Sequence, residues 1–366
     1  MSVRMIFVGG FLGAGKTTLL AQASGRLAGQ GKRVGLITND QANNLVDTGI
    51  LRMGGFETGE VAGGCFCCRI NDLLDVSNRL VSAHRPDVII GEPVGSCTDI
   101  SATVLNPMKK LHADAFVVAP FSVLADPDRL RESLVPGGRS PLPASVVYIF
   151  RKQLEESDAI VLNKADLLSP GQLADLRTLV AGQFPDRPIF AMSASTGDGV
   201  DAWLEFVMTQ TKSARRIVPV DYDTYAQGEA VLGWLNATAI LRSPRAADWR
   251  AWCERFLGMF QTLTGERSAE IAHVKLLLSA PRCVIMANLT GSCSAPLIRG
   301  ADSGSSNEAQ LIVNARVKTS PEGLRSLVEA CLKSAGGGVV AEVKTLESFS
   351  PSPPTPVYRY DEPVKE

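Results

Sequence analysis

Two groups of residues have the types and spacing to do chemistry. Gly10-x4-Gly15-Lys16-Thr17 has the spelling of a phosphate-binding loop, and Cys65, Cys67 and Cys68 bring three thiols close together in sequence. In the loop, glycines let successive backbone N–H groups curl round phosphate oxygens, and the helix N-terminus that follows adds its positive dipole end. Gly10, Gly13, Ala14, Gly15 and Thr18 are expected to form this cradle. Lys16 would reach the β- and γ-phosphates, and the Thr17 hydroxyl would hold Mg²⁺.

Further along, Asn163-Lys164-Ala165-Asp166 follows a buried strand. A carboxylate at Asp166 can accept both N1–H and the exocyclic amine of guanine, a donor pair that adenine lacks, so GTP is the expected nucleotide. Ser193-Ala194 fits a loop whose backbone meets guanine O6. Glu92-x-x-Gly95 ends another strand, where the carboxylate can hold Mg²⁺ through water or orient the attacking water. The Gly95 amide is expected at the γ-phosphate, so Lys16, Glu92 and Gly95 form the expected catalytic set. No arginine or glutamine can be assigned to catalysis, which predicts slow intrinsic turnover. The three thiols suit a soft or borderline metal such as Zn²⁺ or Co²⁺ and leave a fourth position to water, a side chain or a client's own ligand. Cys97, two residues beyond Gly95, is a candidate fourth ligand whose reach would change with the nucleotide. The opposing reading makes these cysteines small buried packing residues.

These motifs need elements to hold them. Runs at Met5–Val8, Arg33–Thr38, Pro86–Ile90, Ala115–Ala119, Ala159–Leu162 and Ile189–Met192 read as buried strands. Leu19, Leu20, Ala23 and Leu27, then Ile70, Leu73, Leu74 and Leu80, recur at helical spacing between them. The alternation predicts an α/β, mostly parallel, doubly wound sheet in which every polar motif lies beyond a strand's C-terminal end. Residues 1–212 are assigned to this domain and 213–228 to a linker. Residues 229–345 read as a smaller α+β, ferredoxin-like domain, and the Pro-rich 346–366 as a disordered tail. Cys253, Cys283, Cys293 and Cys331 have no ligand spacing and read as core or incidental.

Composition narrows the class. The chain has 366 residues, 45% hydrophobic and 20% charged, with a net charge of −1. Such a balance offers no basic surface for nucleic acid. No apolar run reaches the roughly 18 residues that span a bilayer, and the N-terminal run is strand-length, so neither membrane insertion nor a signal peptide is expected. Eight cysteines in a chain this long suit a reducing compartment, and the cytoplasm is the expected location.

Taken together, Gly10–Leu20, Gly64-Cys65-Phe66-Cys67-Cys68, Glu92-x-x-Gly95 and Asn163–Asp166 resemble the CobW-like metallochaperone GTPases, relatives of the urease and hydrogenase nickel accessory GTPases. The resemblance spans roughly residues 4–210 and implies hydrolysis of GTP coupled to delivery of a transition metal. The recipient would be a client metalloprotein or cofactor-biosynthesis enzyme. Gln153 and Asp158 match a family pattern ahead of the guanine motif, with Ser157 in place of alanine. Two features depart from the family: Asn39-Asp40-Gln41-Ala42-Asn43 lacks a second acid, and Ser96-Cys97-Thr98-Asp99 replaces a Leu-Ala-Asp-Pro-like run. Asp47 matches a later family aspartate. With three histidines in all, the chain is no metal store. The rival reading is a GTP-dependent switch that binds and regulates a protein partner, its cysteines structural. Self-association into a homo-oligomer stays open.

Overall fold

Strand β1 (Val3–Gly10) is apolar on both faces, as a central parallel strand must be, and delivers its last glycines directly into the phosphate loop. A computed structural model describes residues 2–39, 46–135, 140–292, 294–300 and 306–365. Asp40, Gln41, Ala42, Asn43, Cys293 and the centres of the loops at 136–143 and 300–307 lie outside these residues. The chain divides into two compact units. One comprises Met1–Gln41, Leu51–Gly228 and Pro353–Glu366; the other comprises Ala42–Ile50 and Glu229–Ser352.

Beyond β1 the first unit's order is α1 (Lys16–Gly29), β2 (Val34–Asn39), α2 (Val46–Met53), β3 (Glu57–Val61), α3 (Ile70–His84) and β4 (Val88–Glu92). Next come α4 (Asn106–Leu111), β5 (Phe116–Val118), β6 (Ser122–Ala125), α5 (Pro127–Leu134), α6 (Ala144–Glu156) and β7 (Ala159–Leu162). Helix α7 (Pro170–Gln183), β8 (Ile189–Ala191), α8 (Val200–Thr209) and α9 (Tyr222–Ala230) follow, with α2 and α9 each crossing a boundary between units. The strands form one parallel sheet in the order β3-β2-β4-β1-β6-β7-β8, with β5 also paired to β1. Leu19, Leu20, Ala23 and Leu27 of α1 pack on Ile6, Val8, Val88 and Ile90, together with Trp203 of α8. The doubly wound expectation is met.

Sheet register supplies one detail the apolar runs did not. The run 115–119 forms only a short β5 against Val3–Met5, and β1 then changes partner to β6 at Val8–Gly10. Pro120 falls between the two short strands and has no N–H to continue a ladder. Edge strand β3 is polar, Glu57-Thr58-Gly59-Glu60-Val61, and gives no alternation to read.

The second unit is antiparallel. Strands β9 (Gly233–Ala247), β10 (Glu270–Ala280), β11 (Cys283–Leu289), β12 (Leu297–Arg299), β13 (Ser306–Lys318) and β14 (Val340–Phe349) lie in the order β12-β11-β10-β13-β9-β14. Helices α10 (Trp249–Glu266) and α11 (Pro321–Ser334) connect β9 to β10 and β13 to β14. The order β14-β9-β13-β10 with those two crossovers is ferredoxin-like, widened at one edge by β11 and β12. Trp249, Trp252, Phe256 and Phe260 from α10 and Leu324, Leu327 and Val328 from α11 fill the core over the sheet. A segment from near the N-terminus, Ala42–Ile50, completes this unit: Asp47 of α2 pairs with Lys275 of β10 at 2.6 Å, and the Val46 amide donates to Asn314 Oδ1.

The segments at both expected boundaries make specific contacts. In the one assigned as linker, the Ala214 and Arg215 amides donate to the Asp158 carboxylate and Lys109 donates to Ser213 O. The Pro-rich segment divides between the units. Its first residues, through Phe349, complete β14, and residues from Pro353 on belong to the first unit, where backbone hydrogen bonds offset the loss of chain entropy.

Candidate functional site

The loop between β1 and α1 has the backbone that phosphate binding requires. Gly10, Gly13 and Gly15 all have positive φ (137°, 78° and 98°), a region closed to most side chains. A Cβ on Gly15 would also collide with Asn163 Nδ2. Ala14 is buried, Gly13 and Thr18 are half-buried, and Thr17 is buried at the start of α1. Lys16 folds back over the loop, its ammonium donating to Gly10 O at 2.8 Å and standing 3.9 Å from Glu92 Oε1. The Thr17 hydroxyl donates to the same Glu92 oxygen at 3.2 Å. Parallel pairing of β1 with β4 therefore brings Lys16, Thr17 and Glu92 together. Gly95 packs against Leu12 of the loop, so tightly that a Cβ would stand 2.7 Å from Leu12 Cδ2.

On the other side, Asn163 is a brace. Its Nδ2 donates to Ala14 O at 2.7 Å, and its Oδ1 accepts from the Ala194 amide at 2.9 Å. The amide expected to face guanine is thus committed to Asn163, while Ser193 holds the same turn through its Oγ and the Thr196 amide. Lys164 sits at φ 60°, and its ammonium contacts Asp126 Oδ2 at 2.5 Å. Asp166 is exposed in the single helical turn Ala165–Leu167. Asp126, which also caps α5, gave no motif in the sequence; only its place after a buried strand could have marked it.

The thiols meet. Cys65 Sγ lies 2.8 Å from Cys67 Sγ and 3.3 Å from Cys68 Sγ, and Cys67 and Cys68 are 3.8 Å apart. The Cys68 and Arg69 amides donate to Cys65 O, closing a turn just ahead of α3. Phe66 points inward and meets Phe7 of β1 edge-on. Asn39, at the end of β2, fastens the loop by donating to Val61 O and Gly64 O and accepting from the Phe66 amide at 2.9 Å. Its position at a strand's C-terminal end was the available signal.

These sulfurs share charge unequally. Hydrogen bonds from Cys67, then Cys68 and Cys97, hold the Cys65 thiol well below its usual range against the cost of burial. The same contact with Cys65 pushes Cys67 well above that range and raises Cys68. Cys97 also acts on this pair, lowering the Cys65 thiol and raising that of Cys67. In the second unit, burial pushes Cys253 and Cys331 up to about 12, which makes them inert core thiols.

The donor set fits a tetrahedral thiophilic ion. Zn–S bonds near 2.3 Å place sulfurs about 3.8 Å apart, the Cys67–Cys68 separation. Loading would open the two shorter spacings toward that distance as metal replaces the thiol protons. Among the described residues, these three are the one group of His, Cys, Asp or Glu side chains with metal-holding geometry.

Fold and loop together define a P-loop nucleotide-binding protein. Residues 4–190 match the CobW/HypB/UreG nucleotide-binding domain, and the chain belongs to that family. It is 30% identical over 198 residues to a Sinorhizobium sp. protein named zinc chaperone CobW, covering 49% of this chain and 55% of that one. It is 29% identical over 179 residues to the Escherichia coli K12 zinc chaperone YeiR, covering 46% and 48%. The chain thus spans about half the length of the curated relatives it matches. Nickel-bound HypB from Helicobacter pylori aligns over 57% of this chain and 86% of its own at 18% identity, with a TM-score of 0.42. No helix among the described residues is long and apolar enough to cross a membrane.

Proposed function

We propose that this chain is a Mg²⁺-dependent GTPase that carries a transition metal, Zn²⁺ first among them, on Cys65, Cys67 and Cys68 and hands it to a client metalloprotein or cofactor-biosynthesis enzyme. The observation that carries the reading is the meeting of three thiols, Cys65, Cys67 and Cys68, within metal-holding reach of one another. On nucleotide binding Lys16 exchanges Gly10 O for phosphate oxygens, and Thr17 and Glu92 supply the oxygen donors for Mg²⁺, directly or through water. Gln153 Nε2 donates to both Gly95 O and Cys97 O, at 3.0 and 2.9 Å. A displacement of Gly95 is therefore passed to Cys97, changing the sulfur donors around the metal as GTP becomes GDP. Turnover without a client is slow, because Gln153 is committed to the backbone at Gly95 and Cys97.

The test couples metal content with hydrolysis. Under reducing, metal-replete conditions the parent should bind about one metal per chain, the Cys65/Cys67/Cys68→Ser variant close to none, and Lys16→Ala should lower GTP turnover at least about a hundredfold. A metal-free parent that still hydrolyses GTP would replace this reading with that of a regulatory switch whose cysteines are structural.

A further inference from the structure

Residues 353–365 belong to the first unit and begin over the thiol cluster. The Thr355 amide donates to Cys68 Sγ at 3.2 Å, and the Val357 amide to Cys67 O at 3.1 Å. Further on, Tyr360 N–H donates to Ala102 O, and Val364 N–H to Asn106 Oδ1 at 2.7 Å. What fastens this segment is mostly backbone. Val357 is 47% and Tyr358 38% exposed, so little apolar surface holds it down. Its prolines (353, 354, 356 and 363) keep the free chain extended, so docking orders few additional torsions. Shallow burial and a low ordering cost describe a segment that opens locally without unfolding its support.

One side chain locks it. Arg359 Nε donates to Asp99 Oδ2 at 2.8 Å, and its Nη2 to Val218 O. Asp99 is buried at φ 65°, and Tyr222 donates to the same oxygen at 2.8 Å. A buried carboxylate that loses its cationic partner is left uncompensated, which makes this pair stronger than an exposed ion pair. Asp99 is also two residues from Cys97, so the lock sits on the chain segment that follows Gly95.

We propose that residues 353–365 form a strap that closes over the thiol cluster, with Arg359 on Asp99 as its latch, so that access to Cys65, Cys67 and Cys68 is controlled by the chain's own C-terminal segment. Closed, the strap occupies the approach to Cys67 and Cys68. Open, it presents the sulfurs to a metal donor or acceptor, which must reach them for associative ligand exchange.

The experiment uses the full-length, reduced, metal-free protein and a disulfide reagent that labels thiols, with modification mapped residue by residue. Arg359→Ala should raise the labelling rate of Cys65, Cys67 and Cys68 about tenfold, and Val357→Pro, which removes the amide given to Cys67, should do the same. Arg359→Lys should stay nearer the parent. Cys253, Cys283 and Cys331, buried in the second unit, serve as internal references and should not change. Unchanged rates at the three clustered thiols in both variants would overturn the strap, as would a parallel rise at the reference thiols. Neither metal nor nucleotide enters the readout, so a negative result leaves the metallochaperone proposal standing, and failure of that proposal leaves this one standing.

Discussion

Glu156 shows how one side chain can tie solution behaviour to the site. It is fully buried, and its carboxylate accepts from the Ser101 amide at 2.9 Å and from Thr98 at 3.3 Å. Burial pushes its pKa well above the usual carboxylate value, with Asp99 adding to the rise and the two donors opposing it. The folded state therefore holds a proton that the unfolded chain releases near pH 4.5. The resulting stability is fully present below that pH and is lost as pH rises through the higher folded value, at about 1.4 kcal/mol per pH unit within the window. Glu156→Gln should remove this slope. Thermal unfolding of parent and variant from pH 5 to 8 should show the variant gaining on the parent as pH rises, and a constant difference would refute the assignment. Cys65, Cys67, Cys68 and the loop Gly10–Thr18 were legible as sites because their types and spacing are unusual in themselves. Asn39 and Asp126 were not, since a single polar residue after a strand gains meaning only from what the fold sets beside it.

At the level of elements, caps and crossings position the chemistry. Asp126 accepts from the Asp128 and Arg129 amides to begin α5 while its other oxygen holds Lys164. Asp126→Ala should cost about 1 kcal/mol for the lost cap and free the Lys164 ammonium, loosening the Asn163–Asp166 segment. A lower melting temperature and a several-fold weaker affinity for GTP, both measured on the purified variant, are the expected pair; lost stability with unchanged affinity would make Asp126 a cap alone. Helix α7 was readable from its own residues, with Ser169 and Gln172 forming a capping box and Pro170 in the first turn. Strand β3 was not, because a polar edge strand is defined by its partner β2 rather than by its pattern.

For the whole molecule, chain order and spatial order disagree. Residues 42–50 belong to the second unit and residues 353–366 to the first, so a cut at 228/229 leaves each half holding a piece of the other's unit. Separated halves would strand Lys275 without Asp47 and leave Cys67 and Asp99 without Val357 and Arg359. Co-expressed 1–228 and 229–366 should therefore co-elute in gel filtration, while each half alone should be poorly soluble. Recovery of two well-folded, non-interacting halves would contradict the exchange of segments.

The sequence by itself determined the local chemistry and the class of fold. Glycines that need positive φ, a lysine and threonine in register, closely spaced thiols and apolar runs of strand length each act over a few residues, and a few residues are enough to read them. The tertiary structure decided what depends on contacts between distant segments. It made Asn163 a brace and seated a Pro-rich tail on the thiols. An extended proline-rich segment has no hydrophobic periodicity of its own, so its order comes entirely from acceptors that a different part of the chain provides.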